Sequence, residues 1–329
     1  MRRVVALLFA TALLASCSSS DDAAPANSAA TTTVAETAAP TTAAPTTAAP
    51  TSVADTVAPE TTEAAPSADF TARPFEVFAP TSYDEATPMP LVVLLHGFGA
   101  SGTIQEAYFQ FQPLAEERGF LYVHPDGTVN QIGRQFWNAT DACCGFQTTV
   151  DDSAYLLALI EQVEADYNVD PKRIYLVGHS NGGFMSYRMA CDHADKIAAI
   201  ASLAGATFAD ASQCDPSEPV SVLQIHGTAD GTIPYTGGTI LGNDHPSAPT
   251  TVDTWAGYDG CAATTVDTAA ALDMDANLAG AETTTQAFEG CPTGIGVELW
   301  TIDGGAHIPA RTADMSTGII DFLLTHPKP

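Results

Sequence analysis

A strand-like run, Ile174-Tyr175-Leu176-Val177, leads directly into Gly178-His179-Ser180-Asn181-Gly182 and then into a helix-like stretch. A serine between two glycines at a strand-to-helix junction fits a nucleophile elbow, a sharp turn that strains the serine backbone and pushes its hydroxyl into the open. Side chains at 178 or 182 would crowd the neighbouring strand and helix, which accounts for both glycines. The pentapeptide is short, and an ordinary exposed turn can carry the same letters. The rest of the chain decides between the two.

A serine hydroxyl is a weak nucleophile until a histidine takes its proton, and that histidine needs a carboxylate to fix its tautomer. On a sheet built this way the order along the chain is serine, acid, histidine. The apolar run 220–225 ends in His226-Gly227-Thr228-Ala229-Asp230, which places Asp230 in a loop just past a strand. A second run, 297–302, leads through Asp303-Gly304-Gly305-Ala306 to His307, again beyond a strand. Of the eight histidines, His96, His179 and His226 sit inside motifs as neighbours that shape the backbone, and only His307 has both order and context. The expected catalytic set is Ser180, Asp230 and His307.

Acyl transfer also needs donors aimed at the developing oxyanion. Leu91-Val92-Val93-Leu94-Leu95-His96-Gly97-Phe98-Gly99 reads as a buried strand opening into a glycine loop. The backbone amides of Phe98 and Asn181 are the expected oxyanion donors, the alternative being a plain tight turn after a core strand.

Strand signals at 91–96, 120–124, 174–178, 200–204, 221–226 and 298–302 alternate with helical ones, and 70–79 reads as early strand. Residues 152–167 form the clearest helix, with Leu156, Leu159, Ile160 and Val163 near a 3.6-residue period. Further helices are expected over 181–194 and 315–325. Continuous apolar strands alternating with helices imply a mostly parallel sheet covered on both faces, the α/β-hydrolase architecture, with no large cap domain.

Domain boundaries follow composition. Met1-Arg2-Arg3 and the apolar stretch 4–14 read as a signal peptide, too short to span a bilayer. Leu14-Ala15-Ser16-Cys17 is similar to a lipobox, so 1–17 is expected to be a bacterial lipoprotein leader with a lipid attached to Cys17. Residues 18–68 are rich in alanine, threonine and proline and read as a disordered tether. The esterase-like domain is expected over 69–329, outside the cell or in its envelope, touching membrane only through the lipid.

Setting Cys17 aside leaves six cysteines, an even number that favours three disulfides in an exported chain. Cys191 late in the helix behind the serine can meet Cys214 after the next strand, and Cys261 and Cys291 flank an insertion before the last strand. That leaves Cys143 to pair with Cys144, unless these are two thiols or the pairing differs. No CxxC pattern or nearby histidine completes a metal-ligand set, so metal binding by the cysteines is not expected.

The formal charge of −28, with 39 acidic residues against 11 lysines and arginines, excludes a nucleic-acid partner and suits neutral ester substrates. Phe98, Trp137 and Trp255 are the expected apolar substrate contacts, although each taken singly also fits a core position. The chain is expected to act as a monomer.

Phe136-Trp137-Asn138-Ala139, Cys143-Cys144-Gly145, Val150-Asp151-Asp152, Asp170-Pro171-Lys172-Arg173-Ile174-Tyr175, Gly178-His179-Ser180-Asn181-Gly182-Gly183 and Ala190-Cys191 together resemble the secreted poly(3-hydroxybutyrate) depolymerase and feruloyl esterase family. The resemblance runs from about Pro88 to the end and implies a serine carboxylesterase without cofactor, with its triad on Ser180, Asp230 and His307. The chain departs from that family after His307, where Ile308-Pro309-Ala310 stands in place of a frequent Trp-Pro pair. The main expectation is hydrolysis of polyhydroxyalkanoate-like or aromatic polyesters. The alternatives are a feruloyl or acetyl esterase of plant polysaccharides and, in another class, a surface binding protein that retains the fold.

Overall fold

In the computed structural model, Met89–Leu95, Ala199–Leu203 and Ser221–Gly227 are buried at every residue, as strands covered on both faces must be. The structure describes residues 70–145, 148–268 and 271–329. The expected leader, Cys17 and the tether lie outside these residues.

In chain order the elements are β1 (Val77–Phe78), β2 (Met89–Leu95), α1 (Gly102–Phe109), α2 (Phe111–Arg118), β3 (Leu121–Val123), β4 (Thr128–Val129), β5 (Gln135–Phe136), α3 (Asp152–Asp166) and β6 (Val169–His179). They continue with α4 (Asn181–Asp192), β7 (Ala199–Leu203), β8 (Ser221–Gly227), β9 (Gly238–Ile240), β10 (Asn243–His245), α5 (Ala248–Tyr258), β11 (Thr265–Asp267), β12 (Thr283–Phe288), β13 (Val297–Ile302) and α6 (Ala313–Thr325). Among the described residues nine strands form one sheet in the order β1-β3-β2-β6-β7-β8-β13-β12-β11. Pairing is parallel from β3 to β13 and antiparallel at both ends, which makes this the expected α/β-hydrolase sheet.

Alternation along the strands divides the core into two layers. Leu91, Val93 and Leu95 of β2 join Leu156 and Leu159 of α3, Phe184 of α4 and Trp255 of α5 on one face. Val92 and Leu94 join Phe109, Phe111, Met315 and Ile319, beneath α1, α2 and α6, on the other. The side chain of Asp151 accepts from the Ala154 amide and starts α3, while Thr312 does the same for α6 through Met315.

One expectation is corrected, and one segment gains structure that the sequence reading did not assign. The strand expected over 70–79 shrinks to Val77–Phe78, because side chains hold the preceding residues as an arm. Phe70 packs edge-on against Phe75 at 5.0 Å, and Arg73 bonds the buried carboxylate of Asp152 at 2.5 Å with its guanidinium 3.5 Å from the Tyr155 ring centre. The insertion between Cys261 and Cys291 carries two strands, β11 and β12, which extend the sheet edge beyond β13. Thr283 and Thr285 face inward while Thr284 and Gln286 face out, so threonine fills the inward positions where an apolar residue would have signalled a strand. The structure contains the Cys143–Cys144, Cys191–Cys214 and Cys261–Cys291 disulfides.

Asp259 follows α5 at the far end of the sheet from Ser180. Its Oδ1 accepts from the Val220 amide at 3.0 Å, while its buried Oδ2 has no protein partner. Burial pushes the carboxyl up to about 7, only partly offset by that amide. The folded protein therefore holds this proton at a pH where the unfolded chain has released it. Stability is lost as pH rises from about 4 toward 7, at ~1.4 kcal/mol per pKa unit. Asp259→Asn is expected to match the wild type near pH 4 and to exceed it by about 2 kcal/mol at pH 8, read from urea midpoints. A gap that does not change with pH would show that Asp259 does not titrate on unfolding.

Candidate active site

β6 ends at His179 and α4 begins at Asn181, leaving Ser180 alone on the turn with φ 54° and ψ −120°. Its amide donates to the Leu203 carbonyl at the end of β7 at 2.8 Å, and its carbonyl accepts from Phe184 at 3.0 Å. The expected crowding is present. A Cβ on Gly178 would lie 2.0 Å from the Gly182 oxygen, and one on Gly182 would lie 2.2 Å from the Leu95 oxygen. Either forces backbone to move, so the elbow depends on bare glycine at both positions.

Asp230 follows β8 and His307 follows β13, two adjacent parallel strands. Their loops are stitched together before either functional side chain is reached. The Thr228 amide donates to Ile302 and the Ala229 amide to Gly305, both at 2.9 Å. The Gly304 amide donates to Thr228 Oγ1 at 2.7 Å. Gly227 permits this contact, since a Cβ there would lie 2.1 Å from the Gly305 oxygen.

The structure thus brings the three expected residues into one line. His307 Nδ1 bonds Asp230 Oδ2 at 2.8 Å, and His307 Nε2 lies 3.0 Å from Ser180 Oγ. A carboxylate accepts, so Nδ1 carries the proton and Nε2 offers its lone pair to the serine hydroxyl. That is the arrangement of a general base poised to deprotonate a nucleophile. Burial opposes ionisation of Asp230, but hydrogen bonds from His226, His307 and the Ile233 amide outweigh it and hold the carboxyl well below the usual range.

On the other side of Ser180, the side chain of Asn181 clamps the backbone of Trp137. Its Oδ1 accepts from the Trp137 amide at 2.7 Å and its Nδ2 donates to the Trp137 carbonyl at 2.8 Å. The Trp137 indole donates to the His96 carbonyl at 3.1 Å, and Gln105 Oε1 accepts from the Gly97 amide at 3.1 Å. His96 Nε2 accepts from Gly127 at 2.8 Å. These bonds fix the loop that carries Phe98, a residue 40% exposed.

Trp137 and Trp255 are corrections. Both are fully buried and neither presents a face to a substrate. Trp137 braces the 96–99 loop as described, while Trp255 packs 5.7 Å from Tyr187 and donates its indole N–H to Thr207 at 3.1 Å. Ile308 is well exposed beside His307.

Sequence reasoning treated His179 and His226 as shapers of backbone and missed what their rings do. His179 Nε2 donates to the carbonyl of His307 at 2.9 Å, and its ring lies 5.0 Å from that of His307. Burial, then the neighbouring His307, lowers His179 to about 4. His226 touches Asp230, with Nε2 3.4 Å from Oδ2. The available signal was position: His179 directly precedes the nucleophile, and His226 stands four residues before the acid. Among the described residues no group of three histidine, cysteine or acidic side chains could hold a metal ion.

A serine, a histidine and an aspartate in bonding contact at the strand ends of a mostly parallel sheet define an α/β-hydrolase with a nucleophile elbow. Residues 79–254 match the family described as phospholipase/carboxylesterase, and the chain belongs to it. It is 30% identical over 241 residues to feruloyl esterase B of Piromyces equi, an alignment spanning 69% of this chain and 41% of that protein. It is 32% identical over 163 residues to a bifunctional acetylxylan esterase/xylanase of Neocallimastix patriciarum, spanning 50% and 22%. The chain therefore covers less than half the length of each of these two relatives. The acetyl xylan esterase from Aspergillus awamori superposes with a TM-score of 0.53 at 16% identity, covering 75% of this chain and 93% of that one, a likeness of fold. The feruloyl esterase relative agrees with that side of the resemblance read from the Phe136-to-Cys191 motifs.

His179 makes the fold acid-sensitive. Its folded value of about 4 lies below the ordinary 6.5, so the unfolded chain takes up a proton first as pH falls. This contribution to stability is full above 6.5 and lost between 6.5 and 4, at ~1.4 kcal/mol per pKa unit. His179→Gln is expected to flatten the fall in urea midpoint across that interval by about 2 kcal/mol. Parallel curves for variant and wild type would refute it.

Proposed function

We propose that this protein is a serine carboxylesterase acting on feruloyl or acetyl esters of plant polysaccharides through an acyl-enzyme. The observation that carries the reading is the unbroken line of hydrogen bonds from Asp230 through His307 to Ser180. His307, oriented by Asp230, takes the Ser180 proton as Oγ attacks the ester carbonyl. The backbone amides of Phe98 and Asn181 receive the oxyanion, at the loop braced by His96 and Trp137 and at the start of α4. The imidazolium returns the proton to the departing alcohol, and water then repeats the sequence to free the acid.

The substrate class rests on the relatives, named feruloyl esterase and acetylxylan esterase, which favour polysaccharide esters over the polyester reading of the sequence. Phe98, on the loop after β2, and Ile308, next in the chain to His307, are exposed apolar residues that suit an apolar ester. Neutral esters also suit a chain of charge −28, which repels anionic ligands. The reading places the domain outside the cytoplasm, supported by its three disulfides, with Cys17 lipidated and 18–68 as the tether.

The test is a panel of p-nitrophenyl acetate, methyl ferulate, acetylated xylan and a 3-hydroxybutyrate oligomer, each run with Ser180→Ala. Ser180→Ala is expected to lower turnover by about 10⁴-fold or more with an unchanged circular dichroism spectrum. Ferulate or acetyl-xylan turnover well above that of the oligomer supports the substrate class. The reverse order would return the polyester reading, and Ser180-independent turnover would move the nucleophile elsewhere.

A further inference from the structure

Asp230 is held from a second direction, outside the line to Ser180. Its Oδ1 accepts from the amides of Thr232 and Ile233, both at 2.8 Å, which fixes the carboxylate on its own loop. Its Oδ2 faces His307 at 2.8 Å and also the Nε2 of His226 at 3.4 Å. His226 is 1% exposed and reaches back from the end of β8.

The protonation of His226 follows from its neighbours. The carbonyl of Gly205 can only accept, so the nitrogen of the Gln224 side chain, 2.9 Å away, must face it. Gln224 Oε1 then accepts from the Tyr187 hydroxyl at 2.8 Å, which agrees with that orientation. The same Gln224 nitrogen lies 3.0 Å from His226 Nδ1, so Nδ1 must be an acceptor. The proton therefore sits on Nε2, which donates to the Ile233 carbonyl at 2.8 Å and leans toward Asp230 Oδ2. One main-chain carbonyl thus sets the tautomer of a histidine beside the acid.

We propose that Gln224 and His226 are positioning residues for the reaction, holding the 230–233 loop closed and drawing negative charge from the Asp230 oxygen that faces His307. This rests on the roles given above to Ser180, Asp230 and His307. A neutral donor suits the place. An imidazolium at 226 would require a hydrogen on Nδ1, pointed at the amide hydrogens of Gln224, and would compete with His307 for Asp230. The ionisable groups facing the pair are Tyr187, whose hydroxyl bonds Gln224, Asp230, His307 and His179 at the strand ends, Tyr235 with its ring 5.8 Å from that of His226, and His245 on β10.

Removing the donor concentrates charge on Oδ2, so His307 holds its proton more tightly and remains unreactive to a higher pH. In His226→Phe the acid limb of kcat/KM is expected to move up by about half a pH unit, and kcat to fall about 10- to 100-fold with KM changed less than about threefold. His226→Gln, whose side-chain nitrogen reaches the same place, is expected to recover kcat to within about threefold of wild type and to restore the limb. Equal losses in both variants with an unmoved limb would reduce His226 to packing and overturn the proposal. On the unmodified protein, nitrogen NMR of labelled histidines should show the His226 proton on Nε2, with Nδ1 bare. A proton on Nδ1 would overturn it without any variant having to fold. Ser180→Ala runs alongside: if it retains turnover, the catalytic reading itself fails, a result separate from any outcome at 226.

Discussion

Backbone lying directly on backbone is the constraint on which the site depends. The start of α4 rests on the ends of β2 and β6 with no side chain between them, because Gly178 and Gly182 leave that space empty. Gly227 does the same where the loop after β8 meets the loop after β13. These two close approaches place the nucleophile against the base and the base against the acid. A packed interior resists small displacements, so an added methyl at either contact would separate reacting atoms that now stand 3.0 Å apart.

The second organising fact is a set of buried histidines in a strongly acidic protein. His96, His179 and His226 are buried around the reacting line. Each ring is bonded to main chain: His96 to Gly97 and Gly127, His179 to His307, and His226 to Ile233. An imidazole can donate from one nitrogen and accept at the other without carrying charge. It can therefore tie loops together in a dry interior where lysine or arginine would bring a charge that burial penalises. His307 alone spends its second nitrogen on the serine.

Much of this was legible in the sequence, because the catalytic chemistry sits in motifs whose letters encode geometry. Gly178-His179-Ser180-Asn181-Gly182 specified a turn that bare glycines make possible, and a strand followed by a short loop located both Asp230 and His307. The parallel strands were legible from continuous apolar runs. What escaped was decided by three-dimensional neighbours. Trp137 and Trp255 looked like surface for a ligand, yet their indoles found acceptors inside the protein. β12 was hidden by its inward threonines, and α1 and α2 by the left-handed break at Gln110, φ 56°, which interrupts their periodicity. The second contact on Asp230 depends on the orientation of a glutamine amide, which no linear pattern contains.

The hairpin of β11 and β12 does more than widen the sheet. Past β11, Asp275 accepts from the Ala310 amide at 3.0 Å, the Ala276 amide donates to the Ala310 carbonyl at 2.7 Å, and Thr312 donates to Met274 at 3.2 Å. The segment between Cys261 and Cys291 is thereby a splint for the chain that follows His307. An ornament at the edge of a sheet can usually be lengthened or exchanged freely during evolution. Here it is tethered to Ala310 and Thr312, just past the working histidine, so the edge and the 307–312 loop form one heritable unit, and grafting either into a relative without the other would leave those bonds unmade.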